Sequence, residues 1–332
     1  MRALSRPLFA SLLLLVSGTL AQAPSSSPTT CLKHTIVATV LDRDGNPVID
    51  LDKTNFELES KPSLKIAKVE RPNHLPRIIL VADVSTTRSG PQNMAVVGAL
   101  AGGFLRAAPA DARLAMLTFG GQKTDRFDFS APKEVIAHTI DEISGGAARL
   151  SGKGRPLFDS LADAIKMFGT PLPGDSIFLI ISGPNFQSQT DLPSVKKLLL
   201  QSGVRVFLIG LFYIPPNFEA IGRDEVLGLS RDTGGVSVEP ISLIGHWTPH
   251  GRVEDGHWDV PIQGMADAEL IGRHMYTLVA SGYQIEIETN HSSDVPVKLK
   301  VKVVAGDGKR LSKARVAYPY ELLPCGETEM AK

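Results

Sequence analysis

Cysteine is nearly missing from this chain, with two in 332 residues, Cys31 and Cys325. Charge of one sign is missing too: 35 Lys and Arg balance 35 Asp and Glu, with no basic stripe and no acidic tail. That balance gives no electrostatic footprint for a nucleic acid and no polybasic patch for a membrane surface. No apolar run reaches the roughly 20 residues that a membrane-spanning helix needs. Walker A and Gly-x-Gly-x-x-Gly signatures are absent, so the phosphate cradles they build are not expected. A Gly-x-Ser-x-Gly elbow is absent as well: around Ser182, position 180 is Ile and position 184 is Pro.

What is present begins with an export signal. Arg2 and Arg6 make a positive start, 8–20 is a short apolar run, and Ala21-Gln22-Ala23 supplies the small side chains a signal peptidase admits. Residues 1–23 are therefore expected to be cleaved, and no Cys directly follows to carry a lipid. Pro24 to Thr30 is a polar spacer with nothing to bury. In an oxidising compartment, secreted or periplasmic, Cys31 and Cys325 are expected to close into a disulfide. A loop that long gives roughly 5 kcal/mol at most.

The remaining chain is long enough for one large domain or two modest ones. From 24 to 76 it reads as β-structure: a β-branched run over 34–41, the turn Asp42-Arg-Asp-Gly-Asn-Pro47, a short strand over 51–58 and another over 64–69. From 77 to 280 strand-like runs at 77–82, 114–119, 176–181, 204–211 and 236–238 alternate with helical patterns. Those patterns fall at 92–107, 132–143, 156–168, 192–201, 223–231 and 267–280. Buried runs alternating with helices predict an α/β fold with a doubly wound, mostly parallel, Rossmann-like sheet. Residues 243–264 break the pattern with Gly, Pro and three His. From 281 to 332 the chain returns to β, at 283–288, 297–304 and 314–318. This C-terminal segment is expected to pair with 31–76 as a small β-sandwich flanking the α/β domain.

One strand end carries a chemical signal. The run ending at Ala82 leads into Asp83-Val-Ser85-Thr-Thr87. In an open α/β sheet, ligands bind beyond the carboxyl ends of the strands. An Asp with hydroxyls two and four residues on can converge on a hard cation such as Mg²⁺.

Here the sequence resembles the von Willebrand factor A family. Asp83-Val-Ser85-Thr-Thr87 resembles its Asp-x-Ser-x-Ser metal motif. Leu117-Thr-Phe-Gly120, Leu157-Phe-Asp-Ser-Leu161, Ile180-Ile-Ser182-Gly183 and Thr233-Gly-Gly235 resemble later segments, in the family's order. The flanks are similar to the β pieces around such a domain in secreted Acidobacteria-type proteins. The resemblance covers roughly residues 77–242. It implies a binding or adhesion module, not an enzyme, that recognises a protein or cell-surface partner at the top of the sheet. The site it implies is Asp83, Ser85, Thr87, Arg155 and Ser182. Two positions depart from the family. Arg155 stands where a metal-binding Thr is expected, and Ser182 stands where a second Asp is expected. A guanidinium keeps its charge and would repel a cation. The expectation is therefore a degenerate site without a cofactor, in which Arg155 pairs with Asp83; Mg²⁺ on Asp83, Ser85 and Thr87 is the less favoured outcome.

A second cluster lies at 245–259, with both tryptophans and His246, His250 and His257. Their spacing matches no tight zinc pattern. A loop with Trp packed on the sheet edge is the simplest reading, and a partner contact the more specific one. The alternative to a binding module is an extracytoplasmic hydrolase or metalloenzyme using Ser182 or these histidines.

Overall fold

The computed structural model describes residues 33–59, 64–85, 90–121, 124–145, 156–182, 188–211, 222–241, 253–254, 257–261, 265–289, 295–305, 311 and 314–323. The export signal, Cys31, Cys325, Thr87, Arg155, His246 and His250 lie outside them.

The chain opens with β1 (Lys33–Leu41), β2 (Phe56–Leu58) and β3 (Leu64–Glu70). The α/β layer follows: β4 (Arg77–Asp83), α1 (Gly90–Ala107), β5 (Arg113–Phe119), β6 (Arg126–Phe127), α2 (Lys133–Ser144) and α3 (Leu157–Met167). It continues through β7 (Ser176–Ile181), α4 (Leu192–Ser202), β8 (Arg205–Gly210), α5 (Arg223–Asp232) and β9 (Ser237–Ile241). After β10 (Val253–Glu254), β11 (His257–Pro261) and α6 (Met265–Ala280), the chain ends in five strands. These are β12 (Tyr283–Thr289), β13 (Val297–Lys298), β14 (Val301–Val303), β15 (Arg315–Ala317) and β16 (Glu321–Leu322).

Eight strands form the main sheet in the order β10-β11-β9-β8-β7-β4-β5-β6. The six inner strands run parallel, and β10 and β6 close the edges antiparallel. Strands β4, β7 and β8 are buried along their whole length, as parallel strands covered on both faces must be. Alternate residues serve the two faces. Ile78, Leu80 and Ala82 meet α1, α2 and α6, while Ile79 and Val81 meet α3, α4 and α5. The chain leaves β4 for β5 on one side and returns on the other side as β7. Their carboxyl ends therefore form the topological switch point of the sheet.

The flanking strands make an antiparallel sheet, β15-β1-β12-β3, with two ribbons, β2 with β14 and β13 with β16. Tyr283 sits in their core with no exposed surface. Its hydroxyl donates to the Val48 carbonyl (2.9 Å) and accepts from the Leu51 amide (3.0 Å), while its ring meets Phe56 at 5.4 Å. The flank is tied to the α/β layer at several points. The Tyr320 amide donates to the Asp232 backbone carbonyl (3.0 Å), and Nε2 of His274 donates to the Gly45 carbonyl (3.2 Å). Burial holds the His274 imidazole below its usual pKa, against the opposing pull of Gly45 and Asp42.

Three expectations from the sequence change. Residues 51–58 are not one strand. Asp52 caps a 3₁₀ turn at Lys53–Asn55 by accepting from the Thr54 amide (2.8 Å), and Asn55 returns the favour to the Asp52 amide (2.9 Å). Short polar side chains bonding their own backbone stop the strand there. Residues 297–304 are not one strand either. The run pairs first with β16 and then with β2, changing partners between Leu299 and Lys300. Finally, the broken region 243–264 contains β11, which extends the parallel sheet beside β9. Its aromatic and β-branched run, His257-Trp-Asp-Val, was outweighed in the sequence by surrounding Gly and Pro.

Helices α1 and α6 cross in direct backbone contact. A Cβ at Gly272 would lie 2.0 Å from the Leu100 carbonyl oxygen, and one at Gly103 would lie 2.1 Å from that of Glu269. Gly272→Ala must push the helices apart and is expected to destabilise by about 1–3 kcal/mol. Gly228→Ala, in α5, meets only Arg231 Nη2 at 3.5 Å, an ordinary contact. It should be neutral or stabilising, because Ala is the better helix former by roughly 1 kcal/mol. Urea unfolding of the two variants checks the difference in sign.

Candidate functional site at the carboxyl end of the sheet

Asp83 is the last residue of β4, and Ser182 follows the last residue of β7, its neighbour in the sheet. Both lie at the switch point. Asp83 is 1% exposed, Ser85 3% and Ser182 5%. A carboxylate that is buried must be given donors. Oδ1 accepts from the Ser85 amide (2.9 Å), which folds the chain back over the strand end. Oδ2 accepts from both the Ser182 amide (3.1 Å) and the Ser182 hydroxyl (2.7 Å). The single carboxylate thus joins its own loop to the end of the adjacent strand.

The other neighbour, β5, shapes the site from behind. The Val84 amide donates to the Phe119 carbonyl (2.9 Å), and Gly120 then turns away at φ +81°. A Cβ at Gly120 would fall 2.8 Å from Ser85 Cβ and 2.9 Å from Asp83 Oδ1. Glycine is required there twice, for the left-handed turn and for the space. Beyond it the chain returns through Asp125, which is 5% exposed. Its amide donates to Thr118 Oγ1 (2.7 Å), and the Thr118 hydroxyl donates to its Oδ2 (3.3 Å).

The rim opposite is set by α3. Asp159, in the first turn of that helix, accepts from the Gln189 amide through Oδ2 (2.9 Å) and from the Thr190 amide through Oδ1 (2.8 Å). Ser188 Oγ accepts from the Phe158 amide (2.9 Å). Burial acts to raise the Asp159 pKa, but the bonds from Thr190 and Gln189 and the charge of Lys166 outweigh it, and the carboxyl is held below its ordinary value. The segment that leaves the site at Ser182 is therefore pinned to α3 where it returns.

Of the residues predicted from sequence, the structure brings Asp83, Ser85 and Ser182 together. Thr87 and Arg155 lie outside the described residues. His257 opens β11, three strands away from β7 in the sheet order, roughly 14 Å at normal strand spacing. The structure does not bring its backbone to Ser182. Gly120, Thr118, Asp125, Asp159 and Ser188 were missed. Thr118, Gly120 and Asp159 stood inside segments quoted for the family resemblance, but nothing local to them announced a role.

The described donors fit a divalent cation poorly. Mg²⁺ gives up its water reluctantly and favours carboxylate oxygens. Here one carboxylate already carries three hydrogen bonds from protein donors. No group of three or more His, Cys, Asp or Glu side chains among the described residues is placed to hold a metal ion.

No protein-family model matches the chain, and no curated protein is similar to it in sequence. Similar solved structures include proximal thread matrix protein 1 from the mussel byssus, at 14% identity and TM-score 0.44, covering 68% of this chain and 51% of that one. They include von Willebrand factor type A from Catenulispora acidiphila, at 10% identity and TM-score 0.42, covering 90% and 75%. They also include the manganese-loaded TRAP protein of Plasmodium vivax, at 11% identity and TM-score 0.42, covering 79% and 97%. The Catenulispora protein bears the name of the family that the motifs resemble. The chain spans about half the length of the mussel protein.

Asp83→Ala strips the acceptor from three buried donors. It is expected to destabilise by on the order of 3 kcal/mol, and Ser182→Ala by about 1 kcal/mol, since the second removes donor and bond together. Chemical denaturation of both variants measures the ratio.

Proposed function

We propose that this chain is an exported, non-enzymatic binding module. Its recognition face is the carboxyl end of the parallel sheet, where it engages a protein or cell-surface partner without a metal ion. The observation that carries the reading is the state of Asp83. Its carboxylate is closed onto Ser85 and Ser182, and so acts as a structural post beneath a surface made of loops. Loops held by such a post are where recognition residues are placed in open α/β sheets. The family resemblance adds Thr87 and Arg155 to that face. An arginine there would offer a charge-assisted contact to an acidic group on the partner.

A hydrolase or metalloenzyme using Ser182, or His246, His250 and His257, has less support. A serine nucleophile needs a base of suitable strength at its hydroxyl. Ser182 donates that proton to Asp83, and no described histidine is bonded to it. Among the described residues no helix is long and apolar enough to cross a membrane.

Titration calorimetry with Mg²⁺ and Mn²⁺ tests the metal-free part of the reading. No saturable heat is expected from the full chain. Micromolar binding that disappears in Asp83→Ala would overturn it.

A further inference from the structure

Two arginines are buried at the opposite, amino-terminal end of the sheet, and only one has a carboxylate. Arg77 opens β4 and is 9% exposed. Its Nε donates to Asp175 Oδ1 (3.0 Å), its Nη2 pairs with Oδ2, and its remaining donors reach the carbonyls of Phe168 and Thr170 (both 2.8 Å). Asp175 is fully occupied by this pair and by the Leu172 amide (2.7 Å).

Arg205 opens β8 and is 1% exposed. Its partners are neutral: Thr39 Oγ1 (3.0 Å), Ser176 Oγ (3.3 Å) and the Val279 carbonyl (3.0 Å). Its Nε is buried with no hydrogen-bond partner. The Val279 carbonyl lies in the last turn of α6, where a helix presents only about half an elementary charge. Burial pushes the guanidinium down to about 9, still above physiological pH, so the charge persists. A buried charge without a counter-ion is among the costliest features a fold can carry.

Arg205 also lines a cavity of about 280 Å³ between the flank and the α/β layer. The wall includes Val37 and Gly282 from the flank and the link segment from Arg71 to Pro76. Arg71, Asn73 and His74 are exposed at its rim, and no acidic residue lines it. Gly282 lets the chain pass close to the guanidinium: a Cβ there would lie 3.2 Å from Arg205 Nη1 and 2.6 Å from Val37 Cγ1.

We propose that this cavity binds a small oxyanion, a carboxylate or phosphate group, between Arg205 at its base and Arg71 at its rim. The volume suits an anion of a few heavy atoms. The lining offers positive charge, an amide at Asn73 and donors, with nothing to repel a negative ligand. The bound anion supplies the counter-charge that Arg205 lacks and joins the flank to the sheet.

The test titrates the full chain with inorganic phosphate and, separately, with acetate, at ionic strength held constant with chloride. The readouts are calorimetry and thermal melting. Saturable binding near one per chain is expected for at least one of the two anions. Phosphate alone assigns a phosphate group, acetate alone a carboxylate, and either outcome supports the site. Arg71→Ala, at the exposed rim, should weaken binding by about tenfold, the loss of one charge-assisted contact. Arg205→Met should abolish it; if that variant does not fold, the Arg71→Ala comparison decides alone. Absence of saturable binding overturns the proposal. So does binding unchanged in Arg71→Ala, or a non-saturating stabilisation equal in both proteins, which is the general effect of excluded salts.

Discussion

A carboxylate sealed at the end of a central strand has to be answered by donors, and that requirement organises the upper end of this molecule. Asp83 takes the amide of its own loop and two donors from the start of the next strand's loop. The position of Ser85 then requires glycine at 120, because any side chain there would strike Ser85 and Asp83 together. The segment departing at Ser182 is recovered at α3 by Asp159 and by Ser188. Three loops from three strands are thereby held around one buried charge.

The lower end is organised by the same physics with a different solution. Arg77 and Asp175 satisfy each other, while Arg205 reaches across to Thr39 of β1 and to the end of α6. The contact with Thr39 crosses from the α/β layer to the flanking strands. The flank is closed in turn by Tyr283, which follows α6 directly and bonds the segment after β1 through its hydroxyl. Strand β1 thus pairs with the strand that follows α6, and the chain's first and last described strands share one core.

Much of this was legible because burial writes itself into sequence plainly. Runs such as 78–82 and 177–181 have no polar interruption, and they lie in buried strands in the centre of the sheet. The Asp-x-Ser pattern after β4 located the switch point, since chemistry at a strand end stands out against an apolar run. The rest depended on information that is not local. Whether 297–304 is one strand or two is decided by partners at 321–322 and 56–58, far away in the chain. The roles of Gly120, Asp125 and Asp159 are set by what lies opposite them after folding. Arg205 read as an unremarkable residue in a strand, and only its burial beside neutral acceptors makes it distinctive.

The proposed function rests on Asp83 being a permanent structural post and not a metal ligand. Amide hydrogen exchange at Ser85 and Ser182, measured in the full chain with chelator and then with excess Mg²⁺, tests it most directly. The account predicts strong and equal protection in both conditions, because the bonds to Asp83 do not depend on a cation. Protection that changes at these two amides when Mg²⁺ is added would contradict it.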